Sequence, residues 1–126
     1  MLKWIDNFKE IDNLIFWDIG ANIGLYSIYN ALKNKTSTTI SFEPSTSNLR
    51  CLSRNISINS LQNKIKVFSL PLTNTENKFF IMNESYFNEG GALNTFGRDY
   101  NFEGKTFKPE MKYQLLGTTI NYLLEN

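Results

Sequence analysis

The chain has 126 residues, of which 41% are hydrophobic and 14% aromatic, and its 13 basic and 12 acidic residues give a formal net charge of +1. These totals fit one small globular domain and exclude a disordered chain. No basic run is present to follow a phosphate backbone, and no stretch approaches the ~20 apolar residues that span a bilayer, so neither nucleic acid nor membrane is an expected partner.

The chain contains no histidine, and its single cysteine is Cys51. A Ser-His-Asp triad, a Cys-His pair and a histidine-ligated zinc site are therefore excluded, and no catalytic metal is expected. One cysteine cannot form an internal disulfide, and the opening residues lack the apolar core of a signal peptide. We therefore expect a cytoplasmic protein.

The first predicted elements are a helix, a strand and a second helix. Residues 2–12 predict a short amphipathic helix. Residues 14–19 are almost continuously apolar, which is typical of a strand covered on both faces of a parallel sheet. Residues 22–33 predict a helix. Its apolar stripe consists of Leu25, Ile28 and Leu32.

The next elements repeat this alternation. Residues 38–42 are rich in β-branched side chains and predict a strand, which Pro44 ends. Ser45 is a suitable N-cap for a helix that runs to about residue 59, and a third strand follows at residues 65–70. Leu49, Leu52 and Ile56 are expected on the inner face of that helix. Strands alternating with helices predict right-handed parallel crossovers and a doubly wound α/β sheet.

The pattern changes after Pro71. Residues 78–82 predict a short strand, and the polar, glycine-bearing residues 83–112 predict a long loop or a loose antiparallel excursion. A strand is expected at residues 113–117. Thr118 or Thr119 then caps a closing helix, whose expected inner residues are Ile120, Leu123 and Leu124.

The turn between the first strand and the next helix carries the strongest functional signal. Asp18 ends the strand, and Gly20 and Gly24 flank Ala21, Asn22 and Ile23. Glycines let the backbone pass close to a ligand, and the N-terminus of a helix directs N–H groups at it. The dinucleotide fingerprint G-x-G-x-x-G is a near alternative, but Asn22 stands where its second glycine would fall.

Glu43 follows the second strand, at the carboxyl edge where open α/β sheets bind ligands. A carboxylate there can accept hydrogen bonds from both hydroxyls of a ribose. An acidic residue at this place suits S-adenosylmethionine and a nicotinamide cofactor alike. Glu43 alone therefore does not distinguish the two.

Three segments together resemble the FkbM family of S-adenosylmethionine-dependent methyltransferases. They are Asp18-Ile-Gly-Ala-Asn-Ile-Gly-Leu-Tyr-Ser, then Phe42-Glu-Pro, then residues 48–59. The resemblance is most specific over residues 16–60 and extends more weakly to the end of the chain. It implies a Rossmann-like class I methyltransferase fold and methyl transfer to a hydroxyl of a sugar, polyketide or other small molecule.

The resemblance also implies site residues. The cofactor loop would be Asp18, Gly20, Ala21, Asn22 and Gly24, the ribose ligand Glu43, and Pro44 would shape the same wall. Asp18 would place the amino acid part of the cofactor or fix the loop. Residues 70–72 would border the adenine.

Members of that family continue into further strands that this sequence does not contain. We therefore expect residues 1–126 to be one partial methyltransferase domain, truncated to its first three parallel strands plus an antiparallel or loop excursion. Its parts would be an N-terminal helix (1–13), a cofactor-binding unit (14–72) and a hairpin or loop region with a closing helix (73–126).

The sequence identifies neither a general base nor an oligomeric state. Glu89, Asp99 and Glu103 lie in the long polar segment but fit a solvated surface better than a base, whereas Tyr86, Phe87 and Phe96 fit an acceptor pocket or ordinary packing equally well. The expected partner is a small-molecule or glycan acceptor. Two alternatives stay open: a nicotinamide-dependent oxidoreductase, and a cofactor-binding fragment without catalytic activity.

Overall fold

Two three-stranded sheets organise the chain, one parallel and one antiparallel. The structure is a computed structural model that describes residues 2–126. A short 3-10 helix at Ile5–Phe8 comes before all the strands. The remaining elements are β1 (Ile15–Ile19), α1 (Leu25–Lys33), β2 (Thr38–Phe42), α2 (Thr46–Ile58), β3 (Ile65–Phe68), β4 (Lys78–Glu84), β5 (Thr95–Phe96), β6 (Met111–Gly117) and α3 (Ile120–Glu125).

The parallel sheet has the order β1-β2-β3, with Asp18 opposite Ser41 and Ser41 opposite Val67. The three predicted strands and the two helices between them are confirmed. The N-cap at Ser45 is also confirmed, since its hydroxyl accepts a hydrogen bond from the Asn48 N–H at 3.4 Å. Helix α1 begins three residues later than predicted, because Asn22 and Gly24 adopt positive φ angles of 53° and 93°.

Helices α1 and α2 pack on the same face of this sheet, around one apolar cluster that contains Ala31, Leu52 and Ile65. On the opposite face Ile15 and Ile19 are 62% and 57% exposed. Trp17 and Phe42 cover each other there, with ring centroids 5.1 Å apart. The predictions of a doubly wound sheet and of a first strand covered on both faces are therefore wrong for residues 2–126.

Helix α1 turns a polar face to the sheet. Ser27 and Asn30 are buried, whereas Leu25 and Leu32 of the predicted apolar stripe are 52% and 55% exposed. The polar face is buried because the sheet offers it hydrogen-bond partners: the Asn30 amide donates to the Thr39 hydroxyl of β2 at 2.9 Å. Buried polar side chains require such partners, and they fix the rotation of the helix about its axis.

The antiparallel sheet has the order β5-β4-β6, with Met82 opposite both Phe96 and Tyr113. The excursion predicted for residues 83–112 is thus ordered in part, through β5 and a bridge between Tyr100 and Thr106. Thr119 caps α3, but the prediction that this helix turns apolar residues inward is wrong. None of its residues is buried, and Leu124 is 69% exposed.

A buried glutamate joins the antiparallel sheet to the start of α2. Glu84, at the end of β4, accepts hydrogen bonds from the Thr46 N–H at 3.1 Å, the Ser47 hydroxyl at 3.1 Å and the Tyr113 hydroxyl. The Tyr113 hydroxyl in turn accepts from the Thr46 N–H at 3.0 Å. The N-terminus of α2 carries a partial positive charge, which favours a carboxylate at this place.

Among residues 2–126 we find no helix with the length and apolar character that crossing a membrane requires.

Replacing Tyr113 by Phe should destabilise the protein, because the buried Glu84 carboxylate loses a close donor, and the same oxygen keeps from side chains only the longer bond of the Thr46 hydroxyl, at 3.5 Å. We expect the free energy of unfolding to fall by about 1–3 kcal/mol, the usual effect of removing a hydrogen bond to a charged group. Urea denaturation measures it. The matched control is Tyr86→Phe, since that ring is 61% exposed. Equal losses in the two variants would contradict the role given to Tyr113.

Candidate functional site

The predicted glycine turn lies at the carboxyl edge of the parallel sheet and is pinned to the neighbouring strand. The N–H groups of Gly20 and Ala21 both donate to the carbonyl oxygen of Phe42, at 2.9 and 3.0 Å. The Gly24 N–H closes the turn on the Ala21 carbonyl at 2.8 Å. Ala21 itself is buried in the apolar cluster. The turn is therefore rigidly placed beside the last residue of β2.

Asp18 caps α1 from outside the helix. The N-cap of this helix is Gly24, which has no side chain, and the Ser27 N–H donates instead to Asp18 Oδ2 at 3.0 Å. The Ser27 hydroxyl lies 2.6 Å from the same oxygen and 2.6 Å from the Ser41 hydroxyl. Burial raises the pKa of Asp18, and the two bonds from Ser27 act against that rise. These contacts join Asp18 to α1, and the part expected for Asp18 in a cofactor site stays a prediction.

Gly20 and Gly24 serve different purposes in the turn. Both have positive φ angles, 76° and 93°, which side chains rarely adopt. A Cβ atom built on Gly24 would lie 2.5 Å from Leu52 Cδ1, whereas one built on Gly20 would meet no atom within 4 Å. Gly24 is therefore needed for helix packing. Gly20 borders open space, as a ligand-binding glycine does.

Glu43 uses its two carboxylate oxygens on different partners, one in the glycine turn and one at the start of α2. Oε2 accepts from the Asn22 N–H at 2.6 Å, and Oε1 accepts from the Ser45 N–H at 2.9 Å. The side chain is only 4% exposed. Glu43 thus ties the glycine turn to the start of α2. The Asn48 side chain is a third donor to the carboxylate, which leaves about one of its four acceptor positions free.

No cation neutralises Glu43. The one ion pair within residues 2–126 joins Lys105 to Glu103. Burial raises the pKa of Glu43, the N–H groups of Ser45 and Asn22 and the Asn48 side chain lower it, and the negative charge of Glu84 raises it further. The carboxylate is therefore held by neutral donors, at the positive end of α2.

A segment of the long excursion, residues 88–91, covers this site. The Asn22 and Asn48 amides donate to the Gly91 carbonyl at 3.1 and 2.9 Å. The Gly90 N–H donates to Asn48 Oδ1 at 2.8 Å. A ligand that reaches Glu43 must therefore displace or adjust this segment.

The structure brings the seven predicted site residues together but adds others that sequence analysis did not assign. Pro44 lies beside Tyr113, whose hydroxyl is 3.1 Å from the Pro44 carbonyl oxygen. Glu84 and Asn48 belong to the same region through the contacts above. Glu84 bonds to Tyr113, 29 residues away, and Asn48 bonds to Gly90, 42 residues away. No local sequence pattern predicts contacts between residues so far apart. Three acids considered as surface residues, Glu89, Asp99 and Glu103, are exposed.

Residues 2–126 contain no group of three or more acidic or cysteine side chains arranged to hold a metal ion.

Two solved structures align with part of this chain. A Pyrococcus horikoshii protein proposed to be a transferase aligns at 20% identity and a TM-score of 0.47, over 55% of this chain and 27% of its own. The StiE O-MT segment aligns at 14% identity and a TM-score of 0.46, over 70% of this chain and 46% of its own. The chain thus spans less than half of either structure. No protein-family model and no curated protein matches it.

The two glycines should respond differently to alanine. Gly24→Ala should lower the free energy of unfolding by about 3 kcal/mol, because strain at positive φ adds to a clash with the fully buried Leu52. Gly20→Ala should lower it by about 1 kcal/mol, from backbone strain alone. Urea denaturation of both variants tests the difference, and equal losses would contradict the two roles.

Glu43 should make stability depend on pH. Its pKa in the folded state is raised above the usual value of 4.5, so the folded state holds this proton more tightly than the unfolded state does. Its contribution to stability is therefore fully present below about pH 4.5 and is lost as the pH rises through the folded pKa. Glu43→Gln should flatten the decline in the free energy of unfolding above pH 4.5, as measured in urea at several pH values. Glu10→Gln, at an exposed position, should leave the decline unchanged.

Proposed function

We propose that this chain is the cofactor-binding part of an S-adenosylmethionine-dependent methyltransferase that acts on a hydroxyl oxygen of a sugar or another small molecule. One observation supports this above all. The Asn22 N–H of the glycine turn is 2.6 Å from Glu43 Oε2, beside the open space at Gly20. A glycine turn and a strand-end carboxylate thus meet at the carboxyl edge of a parallel sheet, where α/β proteins bind nucleotide-like ligands.

The residues present fit such a cofactor. The open side of Gly20 admits a ligand against the backbone. The Glu43 carboxylate accepts from Asn22, Ser45 and Asn48, and it keeps an acceptor position for a ribose hydroxyl. Because Glu43 is buried, binding requires residues 88–91 to move from their hydrogen bonds with Asn22 and Asn48.

When bound, the cofactor supplies a methyl group on a positively charged sulfur. The chain contributes position: Gly20 allows close approach, Glu43 orients the sugar, and Asp18 holds α1 and its turn in place through Ser27. Residues 88–91 would then close over the site and exclude water. Such positioning of two reactants accounts for much of the rate of a displacement reaction.

A nicotinamide cofactor fits this turn less well. Its fingerprint needs a glycine at position 22, so that the pyrophosphate can approach the backbone. Position 22 carries an asparagine instead, whose amide donates to the Gly91 carbonyl at 3.1 Å. Either cofactor requires residues 88–91 to move, so the missing glycine is what counts against a dinucleotide.

Calorimetric titration with S-adenosylhomocysteine tests the proposal. The chain should bind it saturably, and Glu43→Ala should weaken binding at least tenfold, because hydrogen bonds from the ribose to a charged acceptor are lost. The control Glu10→Ala changes an exposed glutamate far from the turn and should bind as the unchanged protein does.

The competing outcomes are distinct. Displacement of the bound ligand by NAD at similar concentrations would favour the oxidoreductase alternative. No binding by a chain whose circular dichroism shows folded α/β structure would refute the cofactor assignment. Binding of the ligand without transfer of a labelled methyl group to sugar hydroxyls would indicate that the chain is a cofactor-binding module without catalytic activity.

A further inference from the structure

A second cavity, of about 840 Å³, lies beside the antiparallel sheet. Its walls are Leu72 to Asn74, which follow β3, Phe80 on β4, Ile120 on α3, and the two segments Asn94 to Arg98 and Tyr100 to Phe102. The volume is within the range of small-molecule sites, about 300–1,000 Å³. None of the seven residues predicted to bind the cofactor lines it, although Leu72 belongs to residues 70–72, which the resemblance places beside the adenine.

Aromatic rings form the apolar part of this cavity. Phe80 and Phe96 meet edge to face with their centroids 5.2 Å apart. Tyr100 and Phe102 also line it, and Phe102 is 79% exposed. Rings left open to a concave site provide flat surfaces on which a ring of a ligand can stack.

The polar part of the cavity consists mainly of donors. Asn101 Oδ1 accepts from the Glu103 and Lys105 N–H groups, both at 3.0 Å, and Asn94 Oδ1 accepts from the Ser85 N–H at 3.0 Å. Because an N–H requires an oxygen partner, these bonds fix which end of each amide is the acceptor. The Nδ2 groups of Asn94 and Asn101 have no partner within residues 2–126.

The one charged residue in the walls described here is Arg98, and no carboxylate lines them. Its guanidinium lies 5.8 Å from the centroid of the Tyr100 ring and forms no ion pair with any residue from 2 to 126. Free amide donors together with an unpaired guanidinium favour a ligand that is rich in acceptors and negatively charged.

We propose that this cavity binds a small molecule that combines a flat ring with a phosphate or carboxylate group. The ring stacks on the aromatic walls, and the anion pairs with Arg98 and accepts from the asparagine amides. The inference rests on the cavity alone and holds whether or not the glycine turn binds S-adenosylmethionine.

Phenyl phosphate is the test probe, since it carries both features, and it is added to the whole ¹⁵N-labelled chain while amide shifts are followed by NMR. Saturable shifts should concentrate at Gly97, Tyr100 and Asn101. Arg98→Gln should weaken binding about tenfold, because it removes the charge-assisted bonds to the anion. Lys108→Gln removes a positive charge from an exposed residue outside the cavity and should leave binding unchanged.

Phenol and inorganic phosphate separate the two contributions, and each should bind at least tenfold more weakly than phenyl phosphate. Phenol binding as tightly as phenyl phosphate would overturn the role of the anion. An equal loss of affinity in Lys108→Gln would show that binding depends only on net charge and would overturn the role of Arg98. Chemical-shift changes confined to residues outside the cavity would refute the site.

Discussion

The buried carboxylate of Glu43 is the interaction on which the rest of this structure depends. It accepts N–H groups from two different turns, at Asn22 and at Ser45, and no cation balances its charge within residues 2–126. A carboxylate buried in this way is costly unless hydrogen bonds replace its hydration. The backbone must therefore present both N–H groups to it. That requirement fixes the glycine turn against the start of α2.

A second constraint lies under α1, where Asp18, Ser27 and Ser41 form a continuous buried chain of hydrogen bonds. Asn30 extends this polar contact to Thr39. An apolar helix face can slide or rotate on a sheet at small cost, but paired polar groups have one arrangement that satisfies them all. The polar face thus positions the N-terminus of α1, and with it the turn that we propose binds the cofactor.

The antiparallel sheet, with the segment that follows β4, closes one side of the site around Glu43. Glu84 and Tyr113 hold it to the N-terminus of α2, and residues 88–91 lie over Glu43. Phe80 and Glu84 are on the same side of β4, because strand residues alternate between faces. Four residues of strand separate them by about 13 Å. One face of β4 thus reaches the aromatic cavity at Phe80 and the N-terminus of α2 at Glu84.

The sequence by itself determined the parallel half: strand β2 at Thr38–Phe42, the cap at Ser45, the glycine turn and the position of Glu43 all follow from local patterns. These features depend on interactions between residues that are close in sequence, so the local residue types are enough to predict them. It did not determine which face of α1 is buried, because Ser27 and Asn30 find their partners only across the sheet. Nor did it determine that residues 88–91 cover Glu43, or that Glu84 meets Tyr113, because those contacts join residues that only the folded chain brings together.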